Sequence, residues 1–255
     1  MLVKIRQNEQ LVSANLLLVS HRGGKGFGPE NTLHSLRGAV EFGVEMVETD
    51  IRMTEDRIPV VHHGPFIGLH LLSNMTISEL RERAPEVPTL EEYLEVTAEK
   101  CRLNLEIKKC DPDVLAEAIK EVLPAYPPLV SSFDTDFLQG FAKLAGTAEL
   151  GFLSRYETSE DHLIQEAMAC GASTLLPASY LIDEDLVQKA HSAQMDIITW
   201  TVNNTSQLAD LIEAGVDGII TDHYPELKGW LETEVVELGD DKKPMQDESP
   251  SSSIV

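Results

Sequence analysis

Short apolar, β-branched runs alternate with stretches of helical period along almost the whole chain. The pattern predicts strands at LLLVSH (16–21), MVETDIRM (46–53), RLNLEIK (102–108) and LVSSF (129–133). ELGFLS (149–154), STLLPA (173–178), DIITWTV (196–202) and DGIIT (217–221) continue the series. Between them lie amphipathic helical patterns, from TLHSLRGAVEFG after the first strand to PELKGWLETEV after the eighth. Their acidic or Ser/Thr/Asn starts, and ends at Gly43, Gly146, Gly171 and Gly215, match helix-cap chemistry. Eight strands alternating with eight helices indicate an α/β fold, and the number eight favours a closed TIM (β/α)8 barrel over an open doubly wound sheet.

One segment breaks the rhythm. After the second strand, IPVVHH (58–63) reads as a hairpin-like return, and about 25 residues, GPFIGLHLLSNMTISELRERAPEVP, precede the next helix. That is too long for an ordinary βα loop and is expected to form a small insertion at about 64–88 overhanging one barrel mouth. The first residues carry Lys4 and Arg6, but polar Gln7 to Gln10 and Asn15 interrupt the apolar run, so they read as a strand rather than a signal peptide. Residues 1–238 are expected to form one barrel domain. From Gly239 the chain has no apolar period, and 239–255 is expected to be a disordered acidic tail.

Within two strands the alternation carries charge. It sets Glu48, Asp50 and Arg52 on one face of MVETDIRM, and Asn104, Glu106 and Lys108 on one face of RLNLEIK. Val47, Thr49 and Ile51, with Leu103, Leu105 and Ile107, take the opposite faces and can pack under helices. Barrel interiors are ordinarily filled by Val, Ile and Leu, so carboxylates there would repel unless a cation held them together. Glu48, Asp50 and Glu106 suit a hard divalent cation, Mg2+ or Ca2+. The bland alternative is solvated edge charge or structural pairs such as Glu48 with Arg52. Zinc is disfavoured, since no Cys cluster or helical His pair exists. His34, His162 and His191 fall in helical patterns, and His70 and His223 in loops. His21 and the pair His62–His63 are left to do acid–base work at the mouth.

Composition narrows the partners. A net charge of −23 disfavours nucleic acid and anionic bilayers, both of which would repel the chain. No run of 18 apolar residues exists, so no stable membrane insertion is expected. Cys101, Cys110 and Cys170 are odd in number. The first two bracket one strand, roughly 30 Å apart at 3.3 Å per residue, which points to free thiols and a reducing, cytoplasmic setting.

The combination HRG (His21–Gly23), PENT (Pro29–Thr32), ETD (Glu48–Asp50), VVHH (Val60–His63) and LNLEIK (Leu103–Lys108) resembles the glycerophosphodiester phosphodiesterase family. PTLEEYL, SSF, WTVN and GIITD are weaker echoes, so the likeness spans 16 to about 230. It implies a TIM barrel with a small insertion after the second strand. It also implies metal ligands at Glu48, Asp50 and Glu106, acid–base histidines at His21 and His63, and phosphate contacts from Arg22 and Lys108. The implied reaction is hydrolysis of a small-molecule glycerophosphodiester to glycerol 3-phosphate and an alcohol, with the substrate's own hydroxyl attacking first through a cyclic phosphate. Gly64 stands where the family usually has Asp. A lysophospholipase D on the same scaffold and a non-catalytic phosphate-ligand binder are the alternatives. The glycines after His21 are expected to let the backbone pass close to phosphate and metal.

Overall fold

The computed structural model describes residues 1–7, 10–97, 100–120, 127–145, 148–233 and 235–237. Eight parallel strands pair in chain order: β1 (Leu17–Ser20), β2 (Met46–Met53), β3 (Arg102–Lys109) and β4 (Leu129–Ser132). β5 (Glu149–Ser154), β6 (Thr174–Pro177), β7 (Asp196–Thr199) and β8 (Gly218–Thr221) follow. Gly218 lies opposite Leu17, and Val19 opposite Met46, so β8 pairs with β1 and β1 with β2. The sheet is closed, as the alternation predicts. The helices between strands are α1 (Leu33–Phe42), α2 (Leu90–Thr97), α3 (Pro112–Ile119) and α4 (Thr135–Ala142). Then come α5 (Glu160–Ala169), α6 (Glu184–Ser192), α7 (Thr205–Ala214) and α8 (Tyr224–Thr233).

β7 is shorter than the expected run to residue 202. The strand ends at Thr199, followed by a single bridge between Trp200 and Ala178, and the Trp200 indole donates a 2.8 Å hydrogen bond to the Leu176 carbonyl.

Two apolar layers hold the barrel. Inside it, Val19, Met46, Leu129, Leu153, Leu176, Ile198 and Ile220 pack together, one from each strand except β3. At that level β3 supplies Asn104, opposite Leu129, which accepts a 2.7 Å hydrogen bond from the Ser131 hydroxyl. Outside, Val47, Ile51, Leu103, Leu105 and Ile107 meet helix residues such as Leu36, Leu90 and Leu115. Each fully buried aliphatic side chain contributes roughly 1.5–3 kcal/mol. The expected face assignment for β2 and β3 is therefore the observed one.

Two elements lie outside the eightfold repeat. The N-terminal segment is a hairpin of Leu2–Gln7 and Gln10–Asn15, with Val235–Glu237 added in parallel, rather than one strand. The expected tail 239–255 falls outside the described residues. After β2, Pro59–Val61 returns antiparallel to it, placing Val61 opposite Ile51. A two-stranded hairpin (Phe66–Ile67, His70–Leu71) and a short helix (Ile77–Arg83) then build the insertion. Thr76 and Glu79 close that helix with a capping box. Val60, Leu72, Met75, Leu80, Ala84 and Val87 give the insertion its own small core. Among the described residues no helix is long and apolar enough to cross a membrane.

Candidate active site

The site begins where β1 ends. His21 and Arg22 open a loop in which Arg22, Gly23 and Gly24 all adopt left-handed φ, at 48°, 69° and 86°. A Cβ on Gly23 would lie 2.0 Å from the Tyr93 hydroxyl, and one on Gly24 2.8 Å from the Ser35 carbonyl, so both positions need glycine. The turn carries the backbone across β2. The Gly23 N–H donates to the Glu48 carbonyl and the Arg22 N–H to Glu48 Oε2, both at 2.7 Å. Strain of this kind collects at functional sites. Asn31, also left-handed at 57°, donates from Nδ2 to Asp50 Oδ2 at 2.8 Å, while its carbonyl oxygen accepts from the Thr49 hydroxyl.

Strand register sets the carboxylates. Glu48 stands opposite Asn104 and Asp50 opposite Glu106, all on the inner face. Carboxylate oxygens of Glu48, Asp50 and Glu106 come within 4.8 Å of one another, with the residues only 2, 1 and 8 % exposed. Burial, followed by repulsion from Asp50 and Glu106, pushes the Glu48 carboxyl well up. Burial likewise raises Glu106, partly offset by Lys108. Burial would also raise Asp50, but hydrogen bonds from His63 and Asn31 and the charge of Lys108 hold it well below the usual carboxylate range. Lys108 Nζ bridges Glu106 and Asp50, the latter at 3.2 Å.

Each imidazole is oriented by its own aspartate. His21 Nδ1 lies 2.7 Å from Asp222 Oδ1, and its Nε2 points inward, 3.7 Å from Glu48 Oε2. His63 Nδ1 lies 3.1 Å from Asp50 Oδ1 and its Nε2 lies 3.1 Å from Arg22 Nη2. A guanidinium only donates, so Nε2 accepts and Nδ1 carries the proton toward Asp50. Arg22 Nη1 also donates to Glu30 at 2.9 Å. His62 turns away, its Nδ1 on the Gly64 carbonyl at 2.8 Å.

The structure thus brings His21, Arg22, Glu48, Asp50, His63, Glu106 and Lys108 together at the carboxyl ends of β1–β3. Glu48 does not pair with Arg52. The Arg52 guanidinium instead donates from Nε and Nη2 to the His63 carbonyl, at 3.0 and 2.8 Å. Sequence reasoning missed three residues. Asp222 orients His21 and is itself held by Lys25 and Asn203. Asn31 ties Asp50, and Arg52 fixes the His63 backbone. The GIITD and PENT motifs contain the first two, but neither motif names its partner. Gly64 leaves His63 without an adjacent carboxylate, and the carboxylate on its Nδ1 is that of Asp50.

A sequence profile of the glycerophosphoryl diester phosphodiesterase family matches residues 21–226, from the first site histidine to the last helix. The chain belongs to that family. Family membership makes it a phosphoric diester hydrolase. A glycerophosphodiester phosphodiesterase of Caldanaerobacter subterraneus is 29 % identical over 229 residues, covering 81 % of this chain and 93 % of the relative. An Oleispira antarctica phosphodiesterase, solved with the product sn-glycerol-3-phosphate, is 25 % identical with a TM-score of 0.77, covering 85 % of this chain and 96 % of that one. The Thermotoga maritima glycerophosphodiester phosphodiesterase is 25 % identical with a TM-score of 0.71, covering 85 % and 98 %.

Proposed function

We propose that this glycerophosphodiester phosphodiesterase releases glycerol 3-phosphate and an alcohol in a reaction that requires a divalent cation and two histidines. The observation that carries the reading is the buried carboxylate trio flanked by His21 and His63, each aimed by its own aspartate. The trio fits a hard cation. Glu48 Oε1 is buried with no hydrogen-bond partner, and among the described residues the one ammonium at the trio, Lys108, pairs with Asp50 and Glu106 only, which leaves the trio net negative. Glu48, Asp50 and Glu106 would hold Mg2+ or Ca2+, which when bound would supply Lewis-acid polarisation of a phosphoryl oxygen.

The chain's own groups do the rest. Arg22 and Lys108 lie beside the trio and would stabilise charge on the phosphoryl oxygens. The ester P–O bond breaks as an attacking oxygen, the substrate's own hydroxyl or water, bonds to phosphorus. One imidazole takes the nucleophile's proton and the other protonates the leaving alkoxide. Over the full cycle one water is consumed. His21 and His63 each keep one ring nitrogen on an aspartate and direct the other into the site, which suits both tasks.

A second reading, lysophospholipase D action, is supported by the apolar tip of the insertion, where Phe66 and Leu71 are exposed and Leu69 is 96 % exposed. Turnover of glycerophosphocholine and lysophosphatidylcholine with Mg2+, Ca2+ or chelator separates the readings. Full activity after exhaustive chelation would overturn the cation requirement, and preference for the lysophospholipid would overturn the glycerophosphodiester reading.

A further inference from the structure

Beside the carboxylate trio lies a cavity of about 210 Å³, on the β2–β3 side of the mouth. Arg52, Lys108 and Lys109 line one part of it; Met53 and, from the insertion, Pro65 and Leu71 line another. Arg52 and Lys109 face each other because the β2–β3 register slips after Ile51. Arg52 uses Nε and Nη2 on the His63 carbonyl, which leaves Nη1 without a hydrogen bond among the described residues. Lys109 is exposed and has no ion pair among the described residues. No carboxylate lines the cavity, in a chain with 43 acidic and 20 basic residues. Lys108 borders both this cavity and the carboxylate trio, so the two spaces adjoin.

The ligand class follows from charge and size. Glycerol is neutral in every glycerophosphodiester, so a cationic cavity can discriminate substrates only through the alcohol. At roughly 30 Å³ per water the space equals about seven waters, enough for a phosphoryl or carboxylate group on a short carbon stem. We propose that this cavity is a specificity subsite for an alcohol bearing a second anionic group, gripped by Lys109 and Arg52 under the apolar face of the insertion. The inference rests on the hydrolytic reading above.

The test compares initial rates on bis(glycerophospho)glycerol, whose departing alcohol carries a phosphodiester anion, with glycerophosphoglycerol, whose alcohol is plain glycerol. Wild type is expected to favour the first by about tenfold or more in kcat/KM. Lys109→Glu is expected to cut that ratio by about tenfold, mainly through KM, the scale of reversing one partly screened charge contact. Lys109→Arg is expected to keep it. A wild-type ratio near one, or a ratio that Lys109→Glu leaves in place, overturns the subsite while the hydrolytic reading stands. No turnover of either diester overturns both.

Discussion

At the scale of single residues, the two adjacent histidines are the sharpest case. His63 reaches Asp50 and Arg22, whereas His62 ends on the Gly64 carbonyl. His63→Ala is therefore expected to lower kcat by roughly 10²- to 10⁴-fold, the range for a lost general acid or base, with His62→Ala far milder. Steady-state kinetics decide it, and the reverse ranking overturns the assignment. Arg22 allows a second test. Its guanidinium spans Glu30 and His63, and no ammonium can make both contacts from one plane. Arg22→Lys is expected to lose kcat/KM with little change in Tm. Unchanged turnover with a lowered Tm would reduce Arg22 to charge balance. The same two-contact geometry could not be read from HRG alone, because Glu30 and His63 lie 8 and 41 residues away.

At the scale of elements, the loop after β1 and the cap after α1 both use left-handed glycines, but in different surroundings. Gly43 has φ 83°, and a Cβ there would meet nothing within 4 Å, whereas a Cβ on Gly23 meets the Tyr93 hydroxyl and Asn31 backbone. Gly43→Ala should cost about 1–2 kcal/mol, the left-handed penalty alone. Gly23→Ala adds a steric clash with the buried Tyr93, so its Tm should fall further. Thermal melts of the two variants compare them directly, and equal losses would remove the close packing beneath the loop from the account. The insertion is an element with its own core. Leu80→Ala should cost about 2–5 kcal/mol if that small core is as tightly packed as a domain core. Hydrogen exchange across residues 59–88 locates where that loss is felt.

At the scale of the whole molecule, net charge and the buried trio oppose folding together. Without a cation, Glu48 is destabilised by burial and by Asp50 and Glu106. Glu48→Gln keeps the shape and removes one charge, so calorimetry of chelated protein should give a higher Tm for the variant than for wild type. Adding Mg2+ or Ca2+ should reverse the order, since ligand at about 100 Kd stabilises by about 2.7 kcal/mol and the variant lacks one ligand oxygen's charge. A cation-independent Tm in wild type would remove the metal site from the account.

Much of this was legible in the chain itself. Strand and helix periods are local, set by side-chain alternation and by which residues can be buried, so the eight repeats and the faces of β2 and β3 could be read directly. The register that places Asp50 beside Glu106 extends the same rule by one strand pairing. Closure of the sheet is not local. It brings Asp222 to His21 across 201 residues, while the loop after β1 brings Asn31 to Asp50 and the antiparallel return after β2 sets the His63 carbonyl on Arg52. Those contacts depend on where β8 meets β1 and on how a strained loop crosses β2, and no periodicity encodes either. The sequence alone determined which residue types face the barrel mouth; the tertiary structure decided their partners, because orientation of an imidazole or a guanidinium is fixed by groups distant along the chain and close only after folding.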